Sequence, residues 1–283
     1  MKTITTKKEL QEYRKKLSMD SSIGFVPTMG ALHEGHLSLL DKSNAENDIS
    51  IVSIFINPAQ FNDVSDFNNY PRNFEHDKLL LAQRKCDILF LPEHNEIYPD
   101  QNIDWIDVDL GFIEQTMEGR YRSGHFRGVK TVVFRLFDIV KPHKAYFGEK
   151  DYQQMLIVKE MEKKLHMLIQ IIPCETQRDD DGLAMSSRNR KLTVEGRRAA
   201  AKIPLILKAA LNLLKTESPG AVSAWVKEQF AETAELQLQY FEIVDQETLK
   251  SVARAEPEKT RLFVAVFVDN VRLIDNMLFK ELQ

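Results

Sequence analysis

The chain has 283 residues, 43% of them hydrophobic and 28% charged, which fits a folded protein with one large and one small domain and excludes a disordered chain. A formal charge of −4 and a pI near 6.0 exclude a general nucleic-acid binder, whose footprint is a basic surface. Cys86 and Cys174 are too few and too far apart for a disulfide framework or a thiolate metal site, so the expected compartment is a reducing cytosol.

Met1 to Leu17 is rich in lysine, with Leu10, Tyr13 and Leu17 at helical spacing, and predicts one amphipathic surface helix rather than a secretory leader. The apolar run Ile23–Val26 then reads as a buried strand, and Leu37, Leu39 and Leu40 open a helix reaching about Asn44. Between them lies Pro27-Thr28-Met29-Gly30-Ala31-Leu32-His33-Glu34-Gly35-His36. A glycine-bearing turn from strand to helix aims backbone N–H groups and the positive helix end at one spot, which suits an anion. His33 and His36, three apart, share a helix face and can serve one ligand. A solvated histidine pair capping a helix would look similar, but here glycines, histidines and strand-to-helix context agree on phosphate.

Ile49–Ile56 is β-branched throughout and suits a central strand buried on both faces. It runs into Asn57-Pro58-Ala59-Gln60-Phe61, where proline ends the ladder and polar side chains gather at the strand's carboxyl end. A helix is predicted from Phe74 to Lys85, a strand from Asp87 to Pro92, and less regular chain from Glu93 to Ser123. That stretch holds Gly119-Arg120-Tyr121-Arg122, either a solvated loop or an anion-facing flap. His125–Val140 is a helix by the spacing of Val129, Val132, Val133, Leu136 and Val140, and Lys144–Phe147 a short strand. The strand feeds Gly148-Glu149-Lys150-Asp151-Tyr152-Gln153-Gln154, where the Lys150 ammonium could act as a mobile point charge for phosphates.

Leu168–Pro173 is the fifth predicted strand. Beyond it, Asp179, Asp180 and Asp181 are read as solvated loop in preference to a metal site. In Met185-Ser186-Ser187-Arg188, hydroxyls, amides and a guanidinium could wrap a triphosphate. One long helix is expected from Thr193 to about Glu217, another to about Glu232, then strands at Leu238–Val244, Leu262–Val268 and Val271–Ile274, the last two joined by a hairpin at Asp269-Asn270. Strands and helices alternate first and segregate later, which places a domain boundary near Met185. The fold expected is α/β: a doubly wound, Rossmann-like parallel sheet over residues 1–184, then a smaller α+β domain over 185–283 that begins with the serine-rich loop. Residue patterns alone reach a phosphate-binding doubly wound α/β protein.

The segment PTMGALHEGH resembles the HIGH signature of the nucleotidyltransferase superfamily, and specifically the pantoate–β-alanine ligase (pantothenate synthetase) family; NPAQF, FGEKDYQQ and MSSRN are similar to further family segments in the same order. Two departures are Asn62, where glycine is frequent, and Gln177, where a branched apolar residue is usual. The resemblance implies an AMP-forming carbon–nitrogen ligase of coenzyme A biosynthesis, using ATP with Mg²⁺, pantoate and β-alanine. It implies ATP contacts at Met29, Gly30, Ala31, Leu32, His33, Glu34, Gly35, His36, Gly148, Glu149, Lys150, Asp151, Gln177, Met185, Ser186, Ser187 and Arg188. Gln60 would hold pantoate and β-alanine, and Gln154 pantoate, while His33, His36 and Lys150 would act in catalysis, with no protein-bound metal. It also implies a cytoplasmic homodimer that engages neither nucleic acid nor membrane.

Two other readings remain at this point. A cytidylyl- or adenylyltransferase acting on a phosphate ester would want extra cations where Gln60 and Gln154 stand, and a non-catalytic nucleotide sensor would have lost a phosphate loop. Walker A and Rossmann glycine fingerprints are absent, which disfavours a P-loop kinase or a dehydrogenase.

Overall fold

The computed structural model describes residues 1–62, 64–99 and 103–280. Its chain opens with a strand, β1 (Lys2–Ile4), before the helix α1 (Lys7–Arg14). A single helix over Met1–Leu17 is therefore wrong at its start. Ile4 is buried in the sheet, and Thr6 caps α1 by accepting a 3.2 Å bond from Glu9 N–H. Thr6-x-x-Glu9 has the form of a capping box, and the residues before it are β-branched.

There follow β2 (Ile23–Thr28), α2 (Glu34–Glu46), β3 (Ile49–Ile54), α3 (Val64–Asn68), α4 (Phe74–Gln83), β4 (Ile88–Phe90), α5 (His94–Ile97), α6 (Met117–Tyr121), α7 (His125–Val140), β5 (Lys144–Gly148), α8 (Tyr152–Leu165) and β6 (Gln170–Cys174). Six strands pair, all in parallel, in the order β1-β4-β3-β2-β5-β6. The predicted fifth strand is thus the sixth. It also starts later than Leu168, which is exposed with φ of +61° and so belongs to the preceding turn. Strands β3 and β4 lie on one side of β2 and β5 on the other, so the loops leaving β2 and β5 diverge at the carboxyl edge. Such a switch point is where open α/β sheets hold ligands.

Burial explains the layers. Val26, Val52, Ile54 and Leu89 on the sheet share a core with Leu32, Leu37, Leu40 and Leu81 from the α2 and α4 region. Phe137 of α7 meets Phe25 and Phe147 edge-on, with ring centroids 6.3 and 6.4 Å apart. The helix α7 also approaches the turn after β3 by its backbone: a Cβ at Gly128 would lie 2.2 Å from the Ala59 carbonyl oxygen. No larger residue fits there without moving the turn.

The chain divides into two compact units, Met1–Glu149 with Gln153–Glu175, and Lys150–Tyr152 with Thr176–Gln283. The second unit holds α9 (Val194–Ala200), α10 (Lys202–Leu213), α11 (Pro219–Ala231), β7 (Gln237–Asp245), β8 (Thr260–Val268) and β9 (Val271–Leu278). The long helix expected from Thr193 is in fact two. Pro204 sits in the first turn of α10 and has no N–H for the Ala200 carbonyl, so α9 stops there. The antiparallel strands pair as β7-β8-β9, with the expected hairpin at Asp269 (φ +50°) and Asn270 (φ +62°), and β9 runs on to Leu278. Leu262, Val264 and Val266 pack with Leu207, Val226 and Phe230 in this unit's core.

Candidate functional site

The β2–α2 loop is built by substitution of side-chain acceptors for water. Gly30 (φ +79°) donates its N–H to Thr28 Oγ1 at 3.2 Å. Ala31 and Leu32 donate theirs to the two carboxylate oxygens of Asp77, a buried residue of α4, at 2.9 and 2.8 Å. His33 is the N-cap of α2, its Nδ1 accepting from Gly35 N–H at 3.1 Å. The expectation of free turn amides waiting for an anion is therefore corrected, because Gly30, Ala31, Leu32 and Gly35 all donate to protein groups. A capping Nδ1 acceptor places the His33 ring proton on Nε2. The His33 and His36 rings lie together, centroids 4.1 Å apart, and both residues are half-buried. Glu34 is exposed and its carboxylate meets Arg84 at 2.6 Å. Met29 is half-buried beside Gln60.

At the end of β3 the organising residue is Asn57, fully buried. Its Oδ1 accepts from Tyr98 O–H at 2.9 Å and from Ala59 N–H at 3.3 Å, and its Nδ2 donates to Gln60 Oε1 at 3.3 Å and Gly128 O at 3.2 Å. Both donors and both lone pairs are used, so the side chain has one orientation. Gln60, 8% exposed, sits in the 3₁₀ turn Pro58–Gln60 with its amide between Asn57 and Met29 Sδ. Its carbonyl accepts from His125 Nδ1 at 2.8 Å, which leaves His125 Nε2 to accept from Arg122 at 3.1 Å. Arg122 also lies 3.7 Å from Glu118, so this arginine braces the Gln60 turn, whereas Arg120 is exposed. The two arginines of the basic cluster thus have different environments. Burial pushes the Tyr98 phenol up to about 12, which keeps it a donor to Asn57.

After β5, Gly148, Glu149 and Gln154 are half-buried. The neighbouring Gln153 is buried and spent on structure, accepting from Glu118 N–H at 3.0 Å and donating to the Ile113 and Thr116 carbonyls at 2.8 and 2.9 Å.

The remaining candidates belong to the second unit. Lys150 Nζ is 3.3 Å from Asp151, and the Lys150 carbonyl accepts from Asn276 Nδ2 at 3.0 Å. Gln177 is exposed and its carbonyl accepts from Met185 N–H at 2.9 Å. Arg178 makes a fork with Asp275, at 2.7 and 2.9 Å. The aspartate run is not a solvated loop throughout: Arg197 holds Asp179 at 2.9 Å and Asp181 at 2.7 Å. Burial opposes the Arg197 charge, but the hydrogen bonds it donates to Asp181 and Asp179 outweigh this and raise the guanidinium pKa. Asn189 adds bonds to Asp179 at 3.3 Å and to the Ala184 carbonyl at 3.0 Å. So fastened, the loop presents half-buried Met185, Ser186 and Arg188, with Ser186 Oγ accepting from Arg188 N–H at 3.2 Å and Ser187 buried. Among the described residues there is no group of three His, Cys, Asp or Glu able to hold a metal.

Sequence reasoning missed the support residues Asp77, Tyr98, His125 and Asn276. Asp77 is 46 residues from Ala31, and nothing local in its helix announces the pairing. Asn57 could have been found, since it shares the NPAQF segment with Gln60.

A parallel doubly wound sheet with a histidine-capped helix at its switch point is the arrangement of an α/β ligand-binding protein. The family model for pantoate–β-alanine ligase matches residues 2–278. A pantothenate synthetase of Christiangramia forsetii is 46% identical over 270 residues, 95% of each chain, and that of Sulfurihydrogenibium sp. is 42% identical over 99% of this chain and 100% of its own. Among solved structures, the pantothenate synthetase of Thermus thermophilus aligns with a TM-score of 0.92 at 38% identity, covering 99% and 100%. The Francisella tularensis ligase, complexed with β-γ ATP and β-alanine, aligns with a TM-score of 0.81 at 38% identity, covering 99% and 98%. The chain belongs to the pantoate–β-alanine ligase family, enzymes that join pantoate to β-alanine.

Proposed function

We propose that the reaction runs in two steps through a pantoyl adenylate. A pantoate carboxylate oxygen attacks the α-phosphorus of ATP, the bond from that phosphorus to the bridging oxygen breaks, and pyrophosphate leaves. The neutral amine of β-alanine then attacks the acyl carbon. The acyl carbon–oxygen bond breaks, AMP departs with its oxygen, and the amine loses a proton to give pantothenate. No protein nucleophile is needed, so catalysis consists of positioning and charge stabilisation.

The observation that carries this reading is the Gln60 turn after β3 lying beside the loop of the histidine-capped helix after β2, with the Gln60 amide against Met29 Sδ. Gln60 is oriented by Asn57 and by His125, so its amide can recognise pantoate hydroxyls without burying a charge. His33 Nε2–H and the His36 ring would donate to ATP phosphate oxygens, in place of the backbone amides that Asp77 has taken. In the second unit, Lys150, Ser186, Ser187 and Arg188 would offset charge on the phosphates, and Gln177 would meet adenine through its backbone. Met29 to Leu32, Glu34, Gly35, Gly148, Glu149, Asp151 and Met185 would line the nucleotide, and Gln154 would bind pantoate. On this reading residues 1–184 bind nucleotide and pantoate, and residues 185–283 open with the serine-rich phosphate loop.

With no protein cage among the described residues, Mg²⁺ would be held by phosphate oxygens of ATP rather than by side chains, a usual mode for this ion. When bound it would neutralise phosphate charge. The same reading makes the enzyme a cytoplasmic homodimer. Its support is the family resemblance, together with Cys86 and Cys174 as buried free thiols that fit a reducing compartment. Among the described residues no helix is long and apolar enough to cross a membrane.

The test is to incubate protein, Mg²⁺, ATP, pantoate and β-alanine, omitting each in turn. AMP and pyrophosphate should form only when pantoate is present; ADP and inorganic phosphate would overturn the adenylation mechanism.

A further inference from the structure

Lys150 follows β5 in sequence, yet its backbone is fastened within the second unit. Asn276 of β9 donates from Nδ2 to the Lys150 carbonyl at 3.0 Å. Asn276 is itself buried, and its Oδ1 accepts from Arg261 Nη1 at 2.5 Å, which fixes which end of the amide faces Lys150. The Arg261 guanidinium also lies 3.9 Å from the centroid of the Tyr152 ring, and Tyr152 O–H donates to Gln246 Oε1 at 3.2 Å. Three side chains of the C-terminal sheet region therefore grip the short segment Lys150–Tyr152 by carbonyl, ring face and hydroxyl. The preceding residue, Asp275, holds Arg178 and caps Asn276 N–H at 2.8 Å. Buried polar groups matched in this way are rigid, because no partner can turn without leaving another unsatisfied.

We infer that Asn276 is a positioning residue for Lys150: its amide, oriented by Arg261, sets the backbone from which the lysine charge is aimed. The inference rests on the proposed role of Lys150 at the phosphates. Asn276 touches no reacting group in this scheme and acts only through Lys150.

The discriminating change is Asn276→Asp, nearly isosteric. The new carboxylate, kept ionised by Arg261, still accepts from that guanidinium but has no proton for the Lys150 carbonyl. Misplacing a catalytic charge by a fraction of an ångström to an ångström costs up to about 100-fold. Pantoate-dependent pyrophosphate release should fall by about 10- to 100-fold, while ready-made pantoyl adenylate should react with β-alanine within about twofold of the wild-type rate. In a Lys150→Met background, adding Asn276→Asp should change pyrophosphate release by less than about threefold, since there is no longer a charge to aim. Asn276→Ala is measured in parallel, and thermal unfolding confirms that each variant melts cooperatively.

Equal slowing of both half-reactions, or a full multiplicative loss in the Lys150→Met background, would overturn the positioning role and leave Asn276 as a fold residue. Failure of the function itself looks different: the wild-type protein would then make no AMP from pantoate and ATP. In that event wild type, Asn276→Asp, Lys150→Met and the double variant are titrated calorimetrically with ATP alone. Non-additive losses of affinity support the coupling of Asn276 to Lys150, and additive ones refute it.

Discussion

At the scale of single residues, the site separates groups free to meet a ligand from groups spent on holding them. Gln60 and Gln153 are both buried glutamines, yet Gln153 has its amide nitrogen on two carbonyls while Gln60 has its amide next to Met29 and Asn57. Gln60→Ala should therefore weaken pantoate use strongly and leave ATP affinity nearly intact, because substrate hydrogen bonds go and no phosphate contact does. Calorimetric titrations with each ligand decide this; equal losses would make the residue structural. The same distinction marks the limit of sequence reading. Gly30, Gln60 and Lys150 follow shortly after strands β2, β3 and β5, where hydrophobic runs stop, so their places in the chain order were legible. Their supports were not, since the Asp77–Ala31 and Asn276–Lys150 bonds join residues 46 and 126 apart and depend on tertiary packing.

Elements show the same division. Periodicity revealed α2, α7 and the central strand β3, because one buried face or a wholly buried run dominates them. The three-residue edge strand β1 was hidden inside an apparently helical lysine-rich segment, and the break between α9 and α10 was hidden because apolar spacing continues across it. A proline in the window was the available signal.

Two elements meet in the clamp between α4 and the β2–α2 loop, which makes a specific prediction. Asp77→Ala leaves the Ala31 and Leu32 amides buried without their acceptor, at about 1–3 kcal/mol for each such group. Denaturant unfolding should register a loss of a few kcal/mol, and any folded fraction should show a much-raised KM for ATP, because the loop presenting His33 is no longer held. Unchanged stability would mean that water replaces the carboxylate and that the clamp does not fix the loop. On the opposite side of the sheet, Gly128→Ala drives a Cβ into the Ala59 carbonyl at 2.2 Å. It should raise KM for pantoate more than for ATP, since the displaced turn carries Gln60; steady-state kinetics in both substrates would show an equal rise if the prediction is wrong.

For the molecule as a whole, burial of neutral ionisable groups sets an alkaline limit on stability. Burial pushes the Cys86 thiol up to about 12 and the Tyr98 phenol up to about 12. Raised values mean that the unfolded chain loses these protons at lower pH than the folded one. Their contribution is complete below the unfolded values, about 8.5 for the thiol and about 10 for the phenol, and is lost as pH rises towards 12. Stability by denaturant unfolding should therefore decline through that window. Tyr98→Phe should flatten the decline above pH 10 by up to about 1.4 kcal/mol per pH unit relative to wild type. An identical slope in the two proteins would show that the Tyr98 proton is not retained in the fold.

The adenylate is the central claim, and oxygen tracing tests it most directly. Pantoate labelled with ¹⁸O in both carboxylate oxygens is turned over with ATP and β-alanine, and the products are weighed by mass spectrometry. If the carboxylate attacks the α-phosphorus and the acyl–oxygen bond then breaks, each AMP carries one labelled oxygen and pantothenate keeps the other. Label in pyrophosphate or inorganic phosphate, with unlabelled AMP, would contradict the account.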